Sequence, residues 1–169
     1  MNTQASLRSL ILVAVMHVLA ASAQALEAVK GPVVLTISGL VTQANDGKNA
    51  VYSMDMLSKL PQQHFRTKTP WYAEPVEFSG PLLRDVLASA GAKGSTIVAA
   101  ALNDYKTEIP FADAQKYNVI VALLMNGKPM PVREKGPLFI VYPFDSQPEL
   151  RAEVFYNRSA WQLARLMVQ

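Results

Sequence analysis

Aromatic, acidic and basic residues that could do chemistry gather in a few short segments of this 169-residue chain. Trp71 and Tyr72 stand beside Pro70, outside any apolar run. Rings placed this way offer a stacking face to a flat ligand, or they anchor a loop against a sheet. Asn103-Asp104-Tyr105 follows a run of small residues. Asp104 could accept hydrogen bonds from a ligand's amino group, or it could cap its own turn together with Asn103. Tyr105 fits a pocket wall or a half-buried strand position. Arg66, Lys68, Arg133 and Lys135 could converge on a phosphate or another polar group. Arg133-Glu134-Lys135-Gly136 reads equally well as a solvated loop carrying its own ion pair. Asn157-Arg158 with Trp161 forms one more candidate edge, against the alternative that Trp161 closes the core.

Several chemistries have no support. The chain has no cysteine. His64 is the one histidine beyond the first 25 residues, and a lone histidine without a second soft ligand makes no metal site. A Ser-His-Asp set is not credible with that one histidine and no recognisable nucleophile elbow. Ser79-Gly80 and Gly91-Ala92-Lys93-Gly94 read as turns, because no Gly-Lys-Ser/Thr follows them. The carboxylates are scattered, which gives no paired-acid hydrolase.

Residues 1–25 look like an export leader. Arg8 is their single charge, Leu10–Ala20 is an apolar run, and Ala23-Gln24-Ala25 resembles a signal-peptidase site. The run falls short of the roughly 20 apolar residues of a membrane anchor. The expectation is therefore a cleaved signal peptide at 1–25 and one soluble periplasmic domain at 26–169. Losing Arg8 lowers the bases from 16 to 15 against 13 acids, so the mature charge is about +2. With no block of Lys or Arg, this argues against nucleic acid. Without cysteine there are no disulfides, and the domain must be held by its core.

The elements that would position these residues are short. Val33–Val41 reads as a strand, Asn45–Lys48 as a turn and Ala50–Ser53 as a second strand. Ser53 could cap a helix over Met54–Leu60 that Pro61 stops. His64–Thr69 suggests an exposed strand or an extended loop. Val76–Phe78 reads as a short strand, Ser79-Gly80 as a turn, and Pro81 to Ala90 as a helix ended by Gly91. Thr96–Leu102 and Tyr105–Ile109 make a hairpin, followed by a brief helix over Phe111–Tyr117. Val119–Met125 reads as one apolar strand ending in Asn126-Gly127, the strongest hairpin signal present. Pro129–Gly136 is an irregular loop, Pro137–Tyr142 a buried strand and Gln162–Val168 a closing strand. Many short strands with a few small helices make a compact α+β domain.

Several pieces resemble, in order and spacing, the sulfite-oxidase-like family, the oxidoreductase molybdopterin-binding domain. Val76-Glu77-Phe78-Ser79-Gly80-Pro81-Leu82-Leu83-Arg84-Asp85-Val86-Leu87 is similar to the family's strand, glycine turn and helix. Asn103-Asp104-Tyr105 with Ile109-Pro110 resembles its D-G-Y…I-P hairpin. Ala122 with Asn126-Gly127, and Gly136-Pro137 through Tyr142-Pro143, resemble two further segments. The resemblance implies mixed β-sheets or a barrel with few short helices. It implies a pterin cofactor and a cysteine thiolate on molybdenum within Phe65–Thr69. Here that stretch is Phe65-Arg66-Thr67-Lys68-Thr69. A threonine hydroxyl is hard and neutral, a poor substitute for a thiolate. The arginine that often follows the family's G-x-P motif is also replaced, by Leu138-Phe139.

The chain further resembles a subgroup of small exported proteins of this fold. That resemblance implies a reduced pterin bound in the periplasm, without molybdenum chemistry. It also implies a membrane-bound sensor or diguanylate cyclase of cyclic-di-GMP signalling as partner. The cofactor-binding set then expected is Arg66, Thr67, Thr69, Trp71, Asn103, Asp104, Tyr105, Arg133, Lys135 and Arg158. No catalytic residue and no metal ligand is expected. Two rival readings remain. One is a molybdopterin-dependent oxidoreductase subunit whose metal is held by the cofactor's own dithiolene or by an oxygen. The other is a structural or interaction domain with an empty pocket.

Overall fold

The computed structural model of the chain describes residues 26–169. The expected signal peptide lies outside the described residues. In chain order the elements are β1 (Val33–Gly39), β2 (Ala50–Ser53), α1 (Met54–Lys59), β3 (Gln62–Thr69), β4 (Tyr72–Pro81), α2 (Leu83–Ser89), β5 (Thr96–Ala101) and β6 (Lys106–Pro110). They continue with α3 (Phe111–Lys116), β7 (Ile120–Ala122), β8 (Leu124–Met125), β9 (Lys128–Pro129), β10 (Phe139–Val141), α4 (Glu153–Arg158) and β11 (Leu163–Val168). Short 3-10 turns occupy Val132–Glu134 and Pro148–Arg151.

The strands form three sheets that stay open, so the architecture is mixed sheets and not a closed barrel. The first runs β2-β1-β11-β5-β6, the second pairs β10 with β7, and the third runs β3-β4-β8-β9. β1 and β11 lie parallel, which joins the two ends of the described chain; the other pairs are antiparallel. Leu35, Ile37, Phe78, Leu83, Ile97, Phe139, Tyr142 and Leu163 are fully buried between these layers. Burying each such side chain contributes about 1.5–3 kcal/mol.

Local chemistry explains most boundaries. The Ser53 hydroxyl accepts from the Met56 N–H and starts α1. Asn126 and Gly127 both take positive φ (49° and 74°), the geometry a two-residue hairpin between β8 and β9 demands. Two expectations need correction. Ser79-Gly80 is no turn: both lie within β4, which runs ten residues. Gly80 is there because a Cβ would overlap the Val121 carbonyl, where β4 crosses β7 at close range. Val119–Met125 is not one strand. β7 pairs with β10, while β8 pairs with β4, and the chain breaks between them at Leu123. A run apolar on every side carries no period that could reveal such a break.

Gly80→Ala is expected to destabilise the domain by about 1–3 kcal/mol through forced overpacking against β7. Urea denaturation with an unchanged m-value measures it, and a loss near zero would mean the two strands separate freely.

Candidate functional site

Four separate segments bring aromatic rings to one place. The Thr69-Pro70-Trp71 turn between β3 and β4 is closed by the Trp71 N–H donating to Thr69 Oγ1 at 3.3 Å. It carries the Trp71 ring onto Phe139 of β10 at 5.4 Å between centroids, onto Phe144 at 6.1 Å, onto Tyr156 of α4 at 6.1 Å and onto Trp161 at 5.6 Å. Tyr105, at the tip of the β5–β6 hairpin, donates its hydroxyl to the Asn157 carbonyl at 3.1 Å. Trp71, Tyr105, Tyr156, Asn157, Ser159 and Trp161 enclose a pocket of about 260 Å³. Trp71 thus anchors its turn in an aromatic cluster, and it also lines this cavity.

Lys135 braces this cluster from the Val132–Glu134 loop. Its Nζ lies 4.0 Å from the centroid of Trp161 and 5.7 Å from that of Trp71. Burial holds the ammonium's pKa below the ordinary lysine value. Its backbone is left-handed (φ 72°), and its carbonyl accepts from the Gln162 N–H at 2.9 Å. Tyr156 also walls a second cleft of about 290 Å³, lined by Lys68, Thr69, Pro70, Asp145 and Arg151. Asp145 organises that cleft. It accepts from the Lys68 N–H at 2.7 Å and pairs with Arg151 at 3.0 Å.

Thr67 is buried beneath this cleft, and its hydroxyl is in use. Oγ1 accepts from the Asp145 N–H at 3.0 Å and donates to the Lys68 carbonyl at 3.3 Å. It is a tether between β3 and the 143–146 loop. Among the described residues no three His, Asp or Glu side chains are grouped to hold a metal ion. The aromatic walls fit a flat heteroaromatic ring, whereas the chain supplies no cysteine thiolate for a molybdenum centre.

The remaining candidates lie in other settings. Asn103 Oδ1 accepts from the Tyr105 N–H, and Asp104, left-handed at φ 62°, pairs with Arg165 at 2.8 Å on the surface. Both therefore do turn chemistry. Arg66 projects from β3 opposite Glu77. The Arg133 side chain is 84% exposed beside Glu134. The four bases are thus split: Lys68 lies in the cleft and Lys135 on the indoles, while Arg66 and Arg133 face solvent. Arg158 is bound to Asp113 at 2.9 Å, and the buried Tyr142 hydroxyl donates to the same carboxylate oxygen at 2.8 Å. It fixes α4 to α3. A wider groove of about 600 Å³ on that side of α4 has no aromatic wall, and its one base is this occupied Arg158.

Sequence reasoning missed Tyr156, Asp145, Arg151 and Asp113. Tyr156 sits on α4, a six-residue helix whose N-cap, Ala152, makes no side-chain cap bond. No periodic or capping signal marks it. Asp145 acts through a contact 77 residues away in sequence, which no local pattern encodes.

The Asp113 cluster makes two measurable statements. Asp113→Ala strands a half-buried guanidinium and a buried hydroxyl, and is expected to cost about 2–4 kcal/mol in chemical denaturation. Burial first, and then the Asp113 carboxylate, push the Tyr142 hydroxyl far above its ordinary 10.0. The folded chain keeps a proton that the unfolded chain loses near that pH, so stability falls as pH rises past it. Between about pH 9 and pH 11 the Tyr142→Phe chain should lose less stability than the parent. Parallel losses in urea titrations would contradict this.

None of the curated proteins matches this chain. Among solved structures it is similar to the sulfane dehydrogenase SoxCD from Paracoccus pantotrophus, with a TM-score of 0.58 and 20% identity. The alignment covers 79% of this chain and 37% of that one, so the likeness is one of fold, and this chain spans well under half of its neighbour's length. The family described as the oxidoreductase molybdopterin binding domain matches residues 27–144. That span takes in β1 through β10, with Thr67, Trp71 and Lys135, and stops just before Asp145 and short of α4. By this match the chain belongs to the oxidoreductase molybdopterin-binding domain family.

Proposed function

We propose that this chain is a periplasmic pterin-binding module that holds its ligand without molybdenum chemistry and reports occupancy to a membrane-bound cyclic-di-GMP signalling partner. The ring lies in the pocket bounded by Trp71, Tyr105, Tyr156 and Trp161. The polar part of the ligand reaches the neighbouring cleft, where Lys68 and Arg151 offer donors and Tyr156 separates the two spaces.

One observation carries this reading. Within Phe65–Thr69, where the family resemblance places the metal-binding thiolate, the one buried residue is Thr67, held by the Asp145 N–H and the Lys68 carbonyl. A hard, neutral oxygen already committed to two hydrogen bonds is a poor anchor for a high-valent metal. A molybdopterin, when bound, would supply redox chemistry that side chains lack. This chain's own groups stack, orient and hydrogen-bond. The sensing part draws support from the pocket's construction. Its walls come from the Thr69–Trp71 turn, the β5–β6 tip and α4, so a ring wedged among them favours one relative placement of three segments. A ligand shifts a population in this way when it prefers one arrangement. The export leader is read from residues 1–25, and the partner follows from the subgroup resemblance.

Native mass spectrometry and elemental analysis of protein recovered from periplasm provide the test. A co-purifying pterin mass with no stoichiometric molybdenum is expected. About one molybdenum per chain would make the protein a molybdopterin-dependent oxidoreductase subunit, its metal held by the cofactor's dithiolene. Recovery of no small molecule would favour an interaction domain with an empty pocket. Tyr156→Ala should weaken binding of added reduced pterin by about 1–3 kcal/mol, read by tryptophan fluorescence. An unchanged affinity would place the ligand elsewhere.

A further inference from the structure

The four-stranded sheet ends in an open edge. β3 pairs with β4 alone. Opposite His64 and Arg66 on β4 stand Ser79 and Glu77. Those two turn their backbone groups the other way. The Glu77 carbonyl accepts from the Asn126 N–H at 2.8 Å, the Glu77 N–H donates to Asn126 Oδ1 at 3.1 Å, and the Ser79 carbonyl accepts from the Leu123 N–H at 2.8 Å. Antiparallel ladders alternate between residue pairs that exchange both hydrogen bonds and pairs that exchange none. His64 and Arg66 belong to pairs that exchange none, so their N–H and C=O groups point out of the sheet, away from β4. Gln62 has the same parity. The next outward N–H, that of Lys68, is taken by Asp145. The free stretch therefore runs from Gln62 to Arg66, and among the described residues no backbone group pairs with it.

The same alternation sorts the side chains. Thr67 turns inward and Phe65 and Thr69 are half-buried, while His64, Arg66 and Lys68 are exposed on the opposite face. Among the described residues neither Arg66 nor Lys68 takes part in an ion pair. An edge with unpaired ladder groups is a template for another strand, and its charges decide which strand. A second copy of this chain would bring the Arg66–Lys68 stripe against its own image, and like charges set opposite each other destabilise a pair. An acidic strand gains both the ladder bonds and the attraction.

We infer that the β3 edge is a docking site for an extended, acidic segment of a partner protein, which adds as a fifth strand beside Gln62–Arg66. No group of the aromatic pocket takes part; Lys68 alone is shared with the neighbouring cleft, and the tests change only His64 and Arg66. The test is fluorescence anisotropy with a dye-labelled peptide of alternating Glu and Thr, and with its Lys and Thr counterpart, at low and physiological salt. The acidic peptide should bind and the basic one should not. His64→Pro removes one outward N–H while sparing the β3–β4 ladder and both bases. It should weaken binding about tenfold, the worth of one net hydrogen bond. Arg66→Gln keeps the edge and removes a charge, and should weaken binding severalfold with a shallower salt dependence. Should His64→Pro fail to fold, Arg66→Gln and the basic peptide still decide. No binding of the acidic peptide up to about 1 mM, equal binding of both peptides, or indifference to both substitutions would overturn the proposal. So would a dimer in sedimentation that the His64→Pro change abolishes, since the occupant would then be a second copy.

Discussion

The packing of Trp71 is the constraint on which the site depends. Its indole sits among Phe139, Phe144, Tyr156 and Trp161. Through those four rings, the turn of one sheet touches a strand of the second, the helix α4 and the start of the closing strand of the first. Edge-to-face aromatic pairs add about 0.5–1.5 kcal/mol each beyond the area they bury. Their larger effect here is geometric. Backbone bridges join the layers at a few points, such as Phe139–Trp161 and Leu82–Ile120, and a cluster of flat, rigid side chains fixes their relation further. The pocket is the space that this cluster leaves on one side.

α4 shows how a weakly encoded helix becomes a dependable wall. Six residues are too few to hold a helix by propensity. It is fixed on one side by Arg158 on Asp113, with Tyr142 completing the carboxylate's partners from the core. On the other side Tyr156 packs at 4.9 Å on Phe144, and the Asn157 carbonyl receives Tyr105. Buried charge, aromatic packing and a capped carbonyl each come from a different part of the chain. Tyr156 is presented to the pocket because all three act together.

The Thr67–Asp145 tether joins β3 to the 143–146 loop through one buried hydroxyl. A thiolate at such a site would be a soft, charged ligand facing a cavity. A threonine turns the site into a structural joint, with one hydroxyl satisfying a loop N–H and a strand carbonyl. The aromatic pocket next to it does not require that sulfur.

The chain's local chemistry was legible in its residues. The Ser53 cap, the Asn126-Gly127 hairpin, the helix ended by Gly91 and the short-strand α+β character all follow from contacts within a few positions. So did the lack of any thiolate, and the order of segments that marks the family. Which candidate bases reach a cavity was not legible. Lys135 lies over Trp161 and Arg158 is spent on Asp113, yet both stand in similar polar surroundings in the sequence. The break of the apolar run at Leu123, the length of β4 and the role of Tyr156 were equally hidden. Each is decided by partners distant in the sequence or by the approach of another strand. Turn and cap signals are written in adjacent residues because the atoms that form them are adjacent. A binding wall is made where distant segments meet, and only the packed sheets determine which side chains arrive there.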